Sequence, residues 1–223
     1  MGARRVGMGA ARPVSLLIVC PVILPPRPEL LASWTHRPHL CVLNGRHDLW
    51  QETCDELGLE AIRSDGNAGC PASWNVGFEH ARERGLEYVA IVSQSLVIPP
   101  PGTARLAELV EHRADERGLV TNWSFHAAVF SVALWERVGP FDEGLPIYCD
   151  TDYVRRLFLA GERTPANLMP TAILEAESTR AATLRAGLIP LDAYDVDRKR
   201  YIAKWGSEPD DPCAAGPTTP QPA

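Results

Sequence analysis

Between residues 14 and 92, short apolar runs alternate with amphipathic stretches, and that alternation leaves the chain few folds to choose from. Val14–Cys20, His39–Leu43, Leu59–Arg63 and Tyr88–Val92 read as strands. Asp48–Leu57 and Ala72–Arg84 read as the helices between them, the second with Trp74, Phe78 and Ala81 on one face. Strands joined through helices build βαβ units, which predicts a mostly parallel sheet flanked by helices, the Rossmann-like form of an α/β protein. Thr103–Arg113 predicts a further helix. The elements then shorten: strands at Leu119–Thr121 and Phe125–Ser131, and a helix at Ser131–Val138 closed by Gly139-Pro140. A helix at Asp150–Ala160, a strand at Ala172–Leu174 and a last helix at Ala193–Lys204 complete the pattern.

The chain has 223 residues, and domains run to roughly 150, so one domain with extensions is expected. Residues 1–12 carry three Arg and no acid, whereas residues 207–223 hold Glu208, Asp210, Asp211 and five Pro. Both segments read as disordered tails around a single domain at 13–206. A net charge of −6 argues against nucleic acid as a partner. The six Cys form no C-x-x-C pair and no zinc-spaced cluster, and Cys20 and Cys41 fall inside apolar strands, so a reducing, cytoplasmic setting is expected. Arg4 and Arg5 before Val14–Leu24 sketch a signal peptide, but Pro25-Pro-Arg-Pro28 follows in place of a small-residue cleavage site. That run is also too short to span a bilayer, so no transmembrane segment is expected.

Open parallel sheets bind ligands beyond the carboxyl ends of their strands. The polar residues at those ends are Asn44-Gly-Arg-His-Asp48, Asp65-Gly-Asn-Ala-Gly69 and Ser93-Gln94-Ser95. The chain lacks G-x-G-x-x-G after the first strand, a P-loop, G-x-S-x-G and H-E-x-x-H.

Four segments together resemble the family 2 glycosyltransferases of the GT-A fold, in particular their bacterial rhamnosyltransferase-like branch. Val42-Leu-Asn-Gly-Arg-His-Asp48 is similar to the V-D-N-G-S-x-D turn after the second strand. Asn67-Ala-Gly-Cys-Pro-Ala-Ser-Trp-Asn-Val-Gly77 is similar to an N-x-G-x(4,5)-N-x-G helix entry. Gly139-Pro-Phe-Asp-Glu143 followed by Tyr148-Cys-Asp-Thr-Asp-Tyr-Val-Arg-Arg156 resembles G-x-F-D-E and D-x-D-x-x-x-R, the most specific of the four. Tyr201-Ile-Ala-Lys-Trp-Gly206 matches a K-W-G ending, and the likeness covers roughly residues 14–206.

The resemblance implies transfer of a sugar from a nucleoside diphosphate donor to an acceptor hydroxyl with inversion. It places the catalytic base at Asp150, with Asp152 beside it, although two acids opening a helix also serve simply as caps. It puts the donor against Asn44, Asp48, Asn67, Gly69, Asn75, Ser93, Gln94, Ser95, Arg156 and Trp205, and Asp142 and Glu143 on the acceptor side. For Asn67 and Gly69 a turn, for Asn75 a local backbone hydrogen bond, and for Trp205 anchorage of the last helix are competing roles. Trp74 is expected in the core. The family's metal-holding D-x-D-like element is replaced by Ser93-Gln94-Ser95, the aspartate of its nucleotide-binding turn by Leu43, and its histidine by Glu175. Those replacements argue against Mg or Mn as an obligate cofactor, because hard dications prefer carboxylates. Arg46, Arg155, Arg156, Arg180 and Lys204 are the cations that would then face the diphosphate. The alternatives are a catalytically degenerate sugar-nucleotide-binding or assembly module, or a nucleotidyltransferase, whose Gly-rich basic loop after the first strand is missing. The acceptor, the donor sugar and the oligomeric state are not legible.

Overall fold

A computed structural model describes residues 15–26, 39–45, 47–94, 96–97, 119–120, 125, 127–162, 166–167, 174–175, 183 and 186–209. The first half runs β1 (Leu16–Val22), β2 (His39–Leu43), α1 (His47–Leu57), β3 (Glu60–Arg63), α2 (Gly69–Glu83) and β4 (Tyr88–Val92). The second half runs β5 (Leu96–Val97), β6 (Leu119–Val120), β7 (Ala127–Ser131), α3 (Val132–Val138), α4 (Cys149–Leu159), β8 (Ala166–Asn167), β9 (Leu174–Glu175) and α5 (Ala193–Trp205). Seven strands form one sheet in the order β3-β2-β1-β4-β7-β6-β8, and β5 pairs with β9 in a separate ribbon. β3, β2, β1 and β4 are mutually parallel, β7 runs antiparallel to both β4 and β6, and β6 is parallel to β8. This is the expected mostly parallel α/β sheet with helices on its faces.

The pleat divides the core. Along β1, Leu17 and Val19 face one layer with Trp74 and Phe78 of α2 and Tyr153 of α4. Leu16, Ile18, Cys20 and Val22 face the other, against Trp50 and Cys54 of α1. The same alternation recurs in β2, β4 and β7, so each central strand is buried on both sides and reads as a continuous apolar run. Cys20, Cys41 and Cys54 are buried free thiols in that second layer. Among the described residues no helix is long and apolar enough to cross a membrane.

Several expected boundaries shift. β1 continues through Pro21-Val22 because Pro21 lies beyond the last β4 partner (Val19↔Ile91) and pairs only with β2, so its missing N–H interrupts no ladder on the β4 side. α2 begins at Gly69 and not Ala72, since Pro71 falls in its first turn, where an amide N–H has no helical acceptor. β7 begins at Ala127, with Phe125 in a turn, and Ser131 serves as the N-cap of α3, its hydroxyl accepting from Leu134 N at 3.1 Å. The last strand falls at Leu174–Glu175, opposite Val97 and Leu96 of β5. The strand pieces β5 and β8 are too short to leave a periodic signal. The helix expected at 103–113 and residues 1–12 and 210–223 lie outside the described residues. The tail expected to be disordered from residue 207 is tied back at its start: Arg155 donates to Ser207 Oγ at 2.7 Å and Glu208 pairs with Arg198.

α2 lies unusually close to β1 at Gly77, where an added Cβ would stand 2.5 Å from Val19 Cγ2 and 2.7 Å from Val19 Cγ1. Gly77→Ala is therefore expected to lower stability by about 1–3 kcal/mol despite alanine's better helix propensity. Adding Val19→Ala should recover part of that loss in a double-mutant cycle followed by urea denaturation. Additive losses would mean the two positions do not press on one another.

Candidate functional site

The order of the sheet reverses at β1, which has β2 on one side and β4 on the other. Crevices at the carboxyl ends of strands flanking such a reversal are where open sheets bind ligands. A cavity of about 560 Å³ lies there, between the ends of β1 (Ile23), β2 (Asn44) and β4 (Ser93, Gln94) and the starts of α2 and α4.

Asn44 is the buried hinge of its floor. Asn44 N donates to Val22 O at 2.9 Å, and Asn44 Nδ2 donates to Ser73 Oγ at 3.0 Å. Asn44 Oδ1 accepts from Ala68 N at 3.2 Å and stands 3.1 Å from the Ser64 hydroxyl. One side chain thus holds the loop from β3 to α2 against the end of β2. Within that loop Asn67 Oδ1 accepts from Gly69 N at 3.1 Å, and Gly69 takes φ +81°, a backbone geometry that suits glycine. Gln94 is buried, and its Oε1 accepts from Ile23 N (2.7 Å) and Leu24 N (3.2 Å), closing the β1 end onto the β4 end.

Asp150 lies on the opposite wall, in the first turn of α4. Its Oδ1 accepts from Thr151 N at 2.7 Å. Burial pushes its carboxyl above the usual aspartate range, opposed by the Thr151 hydrogen bonds and by backbone donation from Phe125. Asp152 points elsewhere. Residues two apart on a helix do not share a face, and Asp152 is fully buried beneath α5. Its Oδ2 accepts from Arg156 Nε at 2.9 Å; its Oδ1 accepts from Trp205 Nε1 at 2.9 Å and pairs with Lys204 Nζ at 2.7 Å.

The expected site is therefore divided. Asn44, Asn67, Gly69, Ser93, Gln94, Glu143 and Asp150 line this cavity together. Asp152, expected as catalytic, is an interhelical anchor. Trp205, expected at the donor, is spent on Asp152, with Arg155 Cζ 4.8 Å from its ring centroid. Arg156 is held by Asp152 and lies over the Tyr153 ring at 5.0 Å. Asn75 uses its whole amide on the loop before α4: its Oδ1 accepts from Phe141 N at 2.8 Å, and its Nδ2 donates to Phe141 O and Glu143 Oε1, each at 3.0 Å. Asp48 is exposed on the first turn of α1, away from the cavity. Ser95, Arg46 and Arg180 lie outside the described residues. Asn75, Asp142 and Arg156 border a second, more open groove of about 900 Å³ along α2 and α3, with Glu143 forming the wall between the two. That groove lacks Asp150 and the strand ends. Trp74 packs edge-on to Phe141 (5.1 Å between centroids) in the core and shows only a rim to the cavity.

Further positions around the cavity that the motifs did not flag come from α5. Asp197 is buried, and its Oδ2 accepts from Ile147 N (2.8 Å) and Tyr148 N (2.9 Å), fixing the turn that leads into α4. Burial raises its carboxyl, with these two amides opposing. Tyr194 and Arg200 line the cavity. The signal was present as a polar stripe at Asp197, Arg200 and Lys204, three and four residues apart on one helical face.

Among the described side chains the β4 end presents no carboxylate to a divalent metal. Gln94 Oε1 is occupied by two backbone amides, Ser93 offers a neutral hydroxyl, and among the described residues no three His, Cys, Asp or Glu side chains converge.

No protein-family model matches the sequence, and comparison with curated proteins finds no relative. Solved structures do share the fold. Mannosyltransferase PcManGT from Pyrobaculum calidifontis, in complex with GDP-Man and Mn2+, superposes with a TM-score of 0.59 at 16% identity, over 90% of this chain and 67% of its own. TarS of S. aureus gives a TM-score of 0.55 at 16% identity, over 72% of this chain. This chain covers 36% of TarS, about a third of it. A cytidylyltransferase from Leptospira borgpetersenii gives 0.50 at 12% identity, over 85% of this chain and 95% of its own. The chain has the GT-A-like, Rossmann-like fold of these transferases.

Because Asp152 is fully buried with three partners, Asp152→Ala is expected to cost about 3–5 kcal/mol by depriving Arg156 and Trp205 Nε1 of their carboxylate beneath α5, while Lys204 keeps Asp142. Urea denaturation measures it; a loss below about 1 kcal/mol would show that the anchor contributes little to folding.

Proposed function

We propose that the protein transfers a glycosyl group from a nucleoside diphosphate sugar to an acceptor hydroxyl, with inversion at the anomeric carbon. The observation that carries the reading is Asp150, a carboxylate with a raised pKa, in the wall of the cavity at the carboxyl ends of β1, β2 and β4. The fold neighbours support the donor class: TarS has been solved in complex with UDP and with UDP-GlcNAc, and PcManGT with GDP-Man. The loop after β1 argues against the nucleotidyltransferase alternative, since Pro25-Pro26 replaces a glycine-rich phosphate loop.

In this reading the nucleotide occupies the floor built on Asn44, Asn67 and Gly69, and the acceptor enters past Glu143. Asp150 accepts the proton of the acceptor hydroxyl as that oxygen donates an electron pair to the anomeric carbon. The bond from that carbon to the diphosphate oxygen breaks on the opposite face, and its electron pair leaves with the nucleoside diphosphate. A base must be ionised to act, so the acid limb of the rate profile follows the Asp150 pKa. Burial displaces that limb upward from the ordinary aspartate range.

The same burial sets a sign for stability. A carboxyl whose folded pKa exceeds its unfolded value binds more protons in the folded state, so stability falls as pH rises through that window. Above the window, a neutral isostere at Asp150 removes a desolvated charge. Asp150→Asn is thus expected to lower kcat by at least about 10²-fold while leaving donor affinity equal or tighter and the melting temperature at pH 7 equal or higher. A screen of nucleoside diphosphate sugars by thermal shift, followed by assay of released nucleoside diphosphate, finds the donor. Stabilisation without release would mark a binding module of the same fold. Near-full turnover by Asp150→Asn would sink the assignment of the base.

A further inference from the structure

We infer that Arg200 of α5 supplies the positive charge that the diphosphate of the donor meets in this cavity, where a GT-A enzyme would otherwise use a divalent cation. The inference rests on the glycosyl-transfer reading above.

Among the described residues lining the cavity, Arg200 is the single cation, and it shares that lining with the carboxylates of Glu143 and Asp150. Among the described residues an incoming diphosphate therefore meets two like charges and one opposite charge. Three other described basic side chains near the cavity are committed to the frame. Arg155 serves Ser207 and the Trp205 ring, Arg156 serves Asp152, and Lys204 bridges Asp142 (2.6 Å) and Asp152 (2.7 Å). Arg200 differs from all three. It is exposed, and among the described residues it makes one long hydrogen bond, Nη1 to Gly144 O at 3.4 Å, and no ion pair. Most of its five N–H donors face solvent, in the planar fork that matches phosphate oxygens.

Its position is nonetheless fixed. Asp197, one helical turn earlier, is buried and grips the amides of Ile147 and Tyr148, so α5 presents Arg200 against the same Gly144–Asp150 segment that carries the base. The strand end that would hold a metal has instead been turned into structure, with Gln94 hydrogen-bonded to the β1 exit. Among the described side chains the β4 end carries no carboxylate, and a guanidinium stands across the cavity from it on α5. A site without a dication needs a fixed cation, and one sits at the opposite wall.

Calorimetric titration of the full chain with UDP, GDP and dTDP and with their monophosphates, in EDTA and in Mn2+, tests this. The wild-type protein is expected to bind one diphosphate in EDTA. Arg200→Ala should weaken that diphosphate by ~10–100-fold while changing the matching monophosphate far less, and Arg200→Lys should recover part of the loss. An unchanged melting temperature of the ligand-free Arg200→Ala protein checks that α5 remains docked. Equal diphosphate affinity in Arg200→Ala overturns the role of Arg200 and leaves the donor reading standing. Diphosphate binding that needs Mn2+ overturns the replacement of the metal and again leaves the donor reading standing. No nucleotide binding under any condition overturns the donor reading and this inference together.

Discussion

A buried carboxylate is costly unless every lone pair it presents is answered, and Asp152 is the place where this fold meets that requirement. Arg156 answers from within α4, while Lys204 and Trp205 answer from α5, so the pairing works only if the two helices lie together. Lys204 also reaches Asp142 and holds that carboxyl below the usual carboxylate range against the opposing effect of its burial. At the other end of the contact, Asp197 of α5 reaches back to the amides ahead of α4. The first turn of α4 is thus gripped from before and from within by one helix, and Asp150, on the cavity side between the two grips, inherits their precision.

The loop from Phe141 to Glu143 is the second organiser. Asn75 ties it to α2 from the sheet side, and Lys204 ties it to α5 through Asp142. It separates the cavity at the strand ends from the groove along α2, with Glu143 touching both. A side chain hydrogen-bonded to Asn75 is thereby aimed at the entrance that an acceptor would use. Residues that read as ligand contacts in the sequence thus act as framework that orients a smaller number of exposed groups.

The strands were legible because burial on both faces produces uninterrupted apolar runs, as in β1 and β4, and α2 announced itself by the spacing of Trp74, Phe78 and Ala81. The polar strand ends were legible for the same reason: Asn44 and Ser93 follow apolar runs directly, and both reach the cavity. Direction within a helix was less legible. Asp150 and Asp152 look equivalent in a motif, yet a rotation of about 200° sends one to the cavity and the other into the core. Asn75, Arg156 and Trp205 misled in a related way, since a motif records which residue types recur together and not whether they face a ligand or one another. Arg200 and Asp197 belong to no motif; only the geometry of α5 on α4 brings them to the site.

The reliance of α4 on α5 also orders events during synthesis. The sheet through β4 and α4 itself are complete well before residues 197–205 are made, and chains of this size begin to organise from their N-terminal side as they emerge. Until α5 arrives, Asp152 has Arg156 as its one charged partner among the described residues, and the turn before α4 lacks Asp197. The nascent protein therefore carries α4 undocked until residues 197–205 are made, and that late helix is what fixes the cavity wall bearing Asp150.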